Sequence, residues 1–343
     1  MAKKLSVLIP TYKEPEYMLK RLLDSIALQQ HVDFKDIEVL VESDGDENTY
    51  EDDFFASYPY DVNYYIGNKR GVSATRNDLL DNAKGEYIIW CDADDYWCST
   101  LAFHIILREI RIGGFDALFG NFIQESPVPN TTEDYMFMEM KTGGQQFVHN
   151  KTYRRKFLID NDIRFCEKSN IHEDCVIATL SKVYTQNIKY NPTPTYMWAW
   201  NPDSVCRRDP YYLQHTLKNL LMSQAYIIQK LLKRGRNDAV RECAFSILVD
   251  VYYSLNEKKW LEDSTKGDRD ETEGYFKYFY SNYKKYIDEL GEDKKNQIIA
   301  GQKMLHTQQG VLFETITFDA WLRHIEVDVE EIDFNIENLF DKA

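Results

Sequence analysis

The first third of the chain alternates short, β-branched apolar runs with segments of helical periodicity, and this alternation restricts the fold more than any other feature. Residues 6–10 (SVLIP) form the first run, and Met18, Leu22, Leu23 and Ile26 follow at helical spacing. Residues 37–41 (IEVLV) form a second strand that ends in the turn cluster Ser43-Asp44-Gly45-Asp46, and residues 62–66 form a third. A helix over 71–83 starts at a glycine and Ser73 and stops near Gly85. Residues 86–91 (EYIIWC) form a fourth strand, and a helix over 99–112 follows, with Ser99 as its cap and Gly113-Gly114 as its stop. Residues 117–119 begin another strand. Strands and helices alternating at these lengths imply an α/β fold: a mostly parallel sheet with helices on both faces.

In such sheets, ligands bind beyond the carboxyl ends of the strands. The polar segments after the four strands (11–14, 43–46, 67–71 and 92–95) should therefore converge on one rim. From about Pro210 the pattern changes to long amphipathic helices over 211–233 and 237–256, broken at Gly235, and a Tyr-rich helical stretch over 273–290. An aromatic segment and an acidic tail complete the chain. This predicts a domain over 1–208 and a mainly α-helical one over 209–343 that serves acceptor binding, partner binding or homo-oligomerisation. There is no internal repeat.

The chain carries 41 basic and 56 acidic side chains, a formal charge of −15, which disfavours broad binding to nucleic acid or anionic lipid. Its six cysteines include no CxxC pair, which points to free thiols in a reducing compartment. Pro10, Lys13 and Glu14 cut the first apolar run well short of a signal peptide, and no stretch is long enough to span a bilayer. These features lead us to expect a cytoplasmic protein. The many tyrosines suit packing first and sugar-binding grooves second.

Two acidic clusters carry the candidate chemistry. Asp92-Ala93-Asp94-Asp95 sets three carboxylates at a strand end, where they repel one another unless a cation neutralises them. Hard oxygen ligands of this kind suit Mg²⁺ or Mn²⁺; the alternative is a solvated loop that caps the next helix. His172-Glu173-Asp174 precedes the apolar run 175–180 (CVIATL), so Asp174 lies near a helix N-terminus, which favours its ionised, proton-accepting form. Here the alternative is a simple helix cap. His172 is assigned no role.

In order and spacing, residues 6–14 (SVLIPTYKE), 41–46 (VESDGD), 71–77 (GVSATRN), 85–95 (GEYIIWCDADD) and 171–174 (IHED) resemble the family 2 glycosyltransferases. Residues 150–158 (NKTYRRKFL) and 161–167 (NDIRFCE) are similar to that family as well. The resemblance covers about the first 205 residues and implies a GT-A (Rossmann-like) fold and an inverting sugar transfer from a nucleotide-sugar, with a UDP-sugar as the expected donor. It places Pro10, Thr11, Tyr12 and Glu14 along the base and ribose, Asp44 as an acceptor for the base, and Gly71, Arg76 and Ala93 around the nucleotide, with Arg76 near the phosphates. It makes Asp92 a ribose or metal contact, Asp94 the main ligand of a divalent metal (Mn²⁺ or Mg²⁺), and Asp174 the base for a hydroxyl acceptor. Asn121, Glu173, Arg207 and Arg208 are candidate contacts to acceptor or diphosphate. Ser43 departs from the usual double aspartate, which loosens the expectation for the base. A nucleotidyltransferase and a non-catalytic nucleotide-sugar-binding scaffold are the competing readings. The first lacks a glycine- and basic-rich phosphate loop; the intact Asp92, Asp94 and Asp174 speak against the second.

Overall fold

The computed structural model describes residues 3–45, 50, 53–129, 131, 134–142, 146–308, 312 and 316–327. Asp46 and the acidic tail lie outside the described residues. The chain divides into two compact units, Met1–Pro202 and Asp203–Ala343.

In the first unit, β1 (Leu5–Thr11), β2 (Ile37–Ser43), β3 (Asp61–Ile66) and β4 (Tyr87–Trp90) run parallel in the order β3-β2-β1-β4. β1, β2 and β4 are buried along their whole length, as near-continuous apolar runs covered on both faces should be, whereas β3 at the edge is largely exposed. α1 (Glu16–Ala27) connects β1 to β2, and α2 (Val72–Asn82) connects β3 to β4. The chain winds from β1 through β2 to β3 and then returns to the other side of β1. This reversal opens a crevice between the carboxyl ends of β1 and β4.

Beyond β4 the sheet becomes mixed. The elements are β5 (Tyr96–Trp97), α3 (Ala102–Ile112), β6 (Ala117–Pro127), β7 (Tyr135–Met140), β8 (Lys151–Arg154), α4 (Arg155–Asp160), α5 (Asp174–Tyr184) and β9 (Ile188–Trp198). The order continues β8-β6-β9-β5, with β7 paired to β6. β8 runs antiparallel to both β4 and β6, and β6 pairs parallel with β9. The parallel expectation thus describes the strands whose pattern suggested it. β9 escapes a sequence reading because Pro192 and Pro194 interrupt it, and proline removes a ladder donor. α3 starts at Ala102, later than expected and without a side-chain cap; Ser99 Oγ instead accepts from the Leu101 amide at 3.2 Å.

The elements named in the second unit are helices: α6 (Val205–Arg208), α7 (Tyr212–His215), α8 (Leu217–Lys233), α9 (Asn237–Leu255), α10 (Lys258–Asp263), α11 (Lys266–Asp288), α12 (Glu292–Gln308) and α13 (Phe318–Val327). The single helix expected over 211–233 is broken at Thr216, whose hydroxyl donates back to the Tyr212 carbonyl at 2.5 Å. The Tyr-rich stretch lies within α11, which begins earlier, at a capping box between Thr265 and Asp268. Trp260, Phe276 and Tyr280 are fully buried in this unit. All six cysteines are free thiols, and no helix among the described residues is long and apolar enough to cross a membrane.

Candidate active site

The segments that follow β1, β2, β3 and β4 are tied together by their own backbone and side chains. The Asp44 amide donates to the Thr11 carbonyl at 2.9 Å, which fastens the ends of β1 and β2. The Asp44 carboxylate accepts from the amides of Arg70 (2.8 Å) and Gly71 (2.9 Å), which holds the loop entering α2. Oδ1 accepts from both amides, whereas Oδ2 accepts from Gly71 alone and keeps a further lone pair for a ligand. Glu14 closes the first turn by accepting from the Thr11 hydroxyl at 2.8 Å and from the Tyr12 amide; burial raises its pKa. Pro10 is buried behind this turn. The Tyr12 ring is 39% exposed, with the ammonium groups of Lys13 and Lys69 at 5.1 and 5.3 Å from its centroid. Lys13 and His172, beside the first turn and the second acidic cluster, both take left-handed backbone conformations.

α2 buries polar side chains on its inner face because each has a partner. Ser73 donates to the Ser169 carbonyl at 2.5 Å. Asn77 donates to the Phe165 carbonyl at 3.1 Å and accepts from the Phe165 amide at 3.0 Å. The GVSATRN segment therefore clasps the 165–173 loop, which delivers Glu173 and Asp174 to the first residues of α5. Gly71 precedes α2 with φ at +94°, and a Cβ there would overlap the Asn170 side-chain amide.

Arg76 is the hub of the site. Only 4% exposed, it donates to Asp92 at 2.6 Å, Glu173 at 2.6 Å and Asp174 at 2.8 Å. Burial works against its charge, but Asp174, Asp92 and Glu173 outweigh burial and raise its pKa. Burial and the Asp174 charge push Glu173 up to about 8. Asp174 also accepts from the Val148 amide at 3.2 Å, yet burial prevails over Arg76 and raises its pKa. The helix N-terminus was expected to favour the ionised form; desolvation works in the opposite direction here.

The acidic turn divides into an outer and an inner part. Asp92 and Asp94 are half-buried, Ala93 is buried, and the Asp94 carboxylate accepts from Asn201 at 2.8 Å. Asp95 turns inward and is fully buried; it accepts from the Tyr196 hydroxyl at 2.7 Å and the Ala199 amide at 2.9 Å. Arg21 of α1 donates to the Asp94 carbonyl and secures the turn. Potential ligand atoms of Asp92, Asp95 and His149 lie within 4.8 Å of one another, although Asp95 already satisfies two protein donors. His149 is stacked between Phe147 (5.0 Å) and Tyr196 (5.5 Å), and burial pushes its pKa down to about 3. Asp92 and Asp94 are half-buried carboxylates, hard oxygen groups of the kind that suits a divalent cation retaining water.

Asn121 is engaged within the sheet, donating to Glu139 at 3.0 Å and to the Pro192 carbonyl at 3.1 Å. Arg207 and Arg208 belong to α6 in the second unit, where Arg208 faces Asp203 at 3.4 Å. Arg21, His149, Lys151, Asn170 and Tyr196 were not singled out from sequence. Lys151 alone carried a signal, within NKTYRRKFL. It is fully buried, donates to the Phe147 carbonyl, and burial pushes its pKa down to about 7.

The sequence profile of glycosyl transferase family 2 matches residues 6–177, and the chain belongs to that family. It is 32% identical over 130 residues to a GalNAc(5)-diNAcBac-PP-undecaprenol beta-1,3-glucosyltransferase of Campylobacter jejuni, a match covering 36% of this chain and 39% of that one. It is 23% identical over 292 residues to a poly(ribitol-phosphate) beta-glucosyltransferase of Bacillus spizizenii, a match covering 81% of this chain and 44% of the relative. The chain therefore spans less than half the length of these two curated relatives. The crystal structure of Staphylococcus aureus TarS 1-349 in complex with UDP-GlcNAc superposes with a TM-score of 0.61 at 18% identity, covering 91% of this chain and 93% of that one. The GT-A fold implied by the motifs is the fold of this chain.

Proposed function

We propose that the chain transfers a sugar from a nucleotide-sugar, with a UDP-sugar as the donor class, to a hydroxyl acceptor with inversion at the anomeric carbon. The observation that carries this reading is Arg76, which gathers Asp92 and the adjacent Glu173 and Asp174, from two separate segments, into one cluster. Asp174 is the base. Its raised pKa makes it a stronger proton acceptor than a free aspartate, while the Arg76 contact favours the ionised form needed to take the acceptor proton. Burial beside Asp174 raises the Glu173 pKa as well, which favours a single negative charge on the pair.

Pro10, Thr11, Tyr12, Glu14, Asp44, Gly71 and Ala93 form the nucleotide side of the crevice, with the Tyr12 ring free to stack on the base and Lys13 and Lys69 nearby to meet negative charge. Asp92 and Asp94 would hold Mn²⁺ or Mg²⁺, which supplies electrostatic stabilisation to the departing nucleoside diphosphate. The UDP-GlcNAc held by the TarS structure and the glucosyltransferase names of the relatives support this donor class. Asp174→Asn should retain UDP binding by calorimetry and lower transfer by ~10²–10⁴-fold. Full transfer in that variant would remove Asp174 from the role.

A further inference from the structure

Lys151 opens β8 with its side chain fully buried, in register with Phe119 of β6, whose ring centroid stands 5.4 Å from the ammonium. A methionine would fill the same length without the cost of desolvating a charge, so a buried ammonium needs charges or dipoles nearby to hold it. Its one hydrogen-bond acceptor among the described residues is the Phe147 carbonyl. The N–H of that same peptide group, on Val148, donates to Asp174 at 3.2 Å. One peptide plane therefore carries Lys151 on its oxygen and Asp174 on its nitrogen, the order in which each hydrogen bond polarises and strengthens the next.

The rest of this turn is anchored to the sheet. Asn150, in a left-handed conformation, donates to the Asn121 carbonyl at 2.6 Å and to the Thr195 hydroxyl at 3.2 Å. Its own carbonyl accepts from the Gly120 amide at 2.8 Å, and His149 is stacked between Phe147 and Tyr196. The turn is thus fastened to β6 and β9, and the peptide between Phe147 and Val148 links it to Asp174. On the carboxylate itself, Arg76 donates to Oδ1 at 2.8 Å while the Val148 amide donates to Oδ2, so the two hold it at both oxygens.

We infer that Lys151 is a positioning residue for Asp174: through the peptide between Phe147 and Val148 it fixes where that carboxylate points and favours its ionised form. The inference rests on the reading of Asp174 as the base. Arg76 supports the same charge directly but is shared with Asp92 and Glu173. The Asp92 charge works against ionisation of Asp174, and Lys182 works against the charge on Lys151, which Asp174 supports.

The test compares the full chain with Lys151→Met, which keeps the length and removes the charge. The Asp174 carboxyl pKa, read from its carboxyl carbon shift in NMR titrations, should rise by about one unit in that variant. Turnover of UDP-GlcNAc with water as acceptor should fall ~10–100-fold in kcat with KM little changed. Adding Lys151→Met to Asp174→Asn should lower turnover no further, because both act through one carboxylate. The reciprocal measurement needs no Lys151 variant: Asp174→Asn should lower the Lys151 ammonium pKa, read from its ε-carbon shift. An unmoved Asp174 pKa in Lys151→Met, an unmoved Lys151 pKa in Asp174→Asn, or losses that multiply in the double variant would overturn the inference. Parent-level turnover in Asp174→Asn would instead count against Asp174 as the base, and the two titrations would then decide the link by themselves.

Discussion

Arg76 and the three acidic side chains around it depend on one another, since Arg76 and Glu173 are buried and Asp174 is largely so. Removing one partner from such a group leaves the others uncompensated in a medium that solvates charge poorly. Arg76→Met should lower unfolding stability by ~3–5 kcal/mol in urea titrations, far more than an exposed helical arginine would. Wild-type stability in that variant would mean that water, not Arg76, balances Asp92 and Asp174. Glu173 gives the cluster a pH signature. Its pKa in the fold is about 8, against an ordinary value of 4.5, so the folded chain binds more protons than the unfolded one between those values. The contribution to stability is complete below the ordinary value and is lost as pH rises through about 8, on the order of a few kcal/mol. Glu173→Gln should flatten the fall in Tm across that window in scanning calorimetry.

At the scale of elements, α2 does what its weak amphipathicity conceals. Its inner face is polar, and Ser73 and Asn77 bind the 165–173 loop through backbone groups. The entry of α2 depends on Gly71, whose positive φ and closeness to Asn170 exclude a side chain. Gly71→Ala should cost about 1–3 kcal/mol and weaken UDP binding as the Asp44–Gly71 contact shifts; an unchanged Tm and affinity would show that the loop relaxes freely. The sequence made α2 visible through its starting glycine and its length, but not the purpose of its buried polar residues. That purpose appears only once residues almost a hundred positions away supply the acceptors. β7, β8 and β9 were likewise hidden, since β9 carries two prolines and is held by pairing with β6 rather than by its own pattern.

For the whole molecule, the acidic charge and the proposed reaction make opposite demands: under that proposal a nucleotide-sugar diphosphate would enter a site lined by Asp92, Asp94, Glu173 and Asp174. Arg76 is already committed to carboxylates, so a divalent cation is the natural bridge between diphosphate and protein. EDTA treatment should lower UDP affinity at least ~10-fold by calorimetry, with recovery on adding Mn²⁺, and Asp94→Ala should remove the dependence on metal. Affinity indifferent to EDTA would assign the diphosphate to side chains such as Lys13 and Lys69.

The amino-acid sequence by itself determined the α/β class, the four parallel strands and the convergence of their carboxyl-terminal turns, because hydrophobic periodicity and glycine placement are local and leave direct marks. Asp44, Arg76, Asp92, Asp94 and Asp174 stood out as a set only through the resemblance of their motifs to the family 2 glycosyltransferases. Tertiary structure alone decided which carboxylate faces outward and which inward, that Arg76 bonds to acids, and that Asp95 meets Tyr196. These outcomes depend on burial and on partners distant along the chain, and desolvation is a property of the packed molecule that no local pattern encodes.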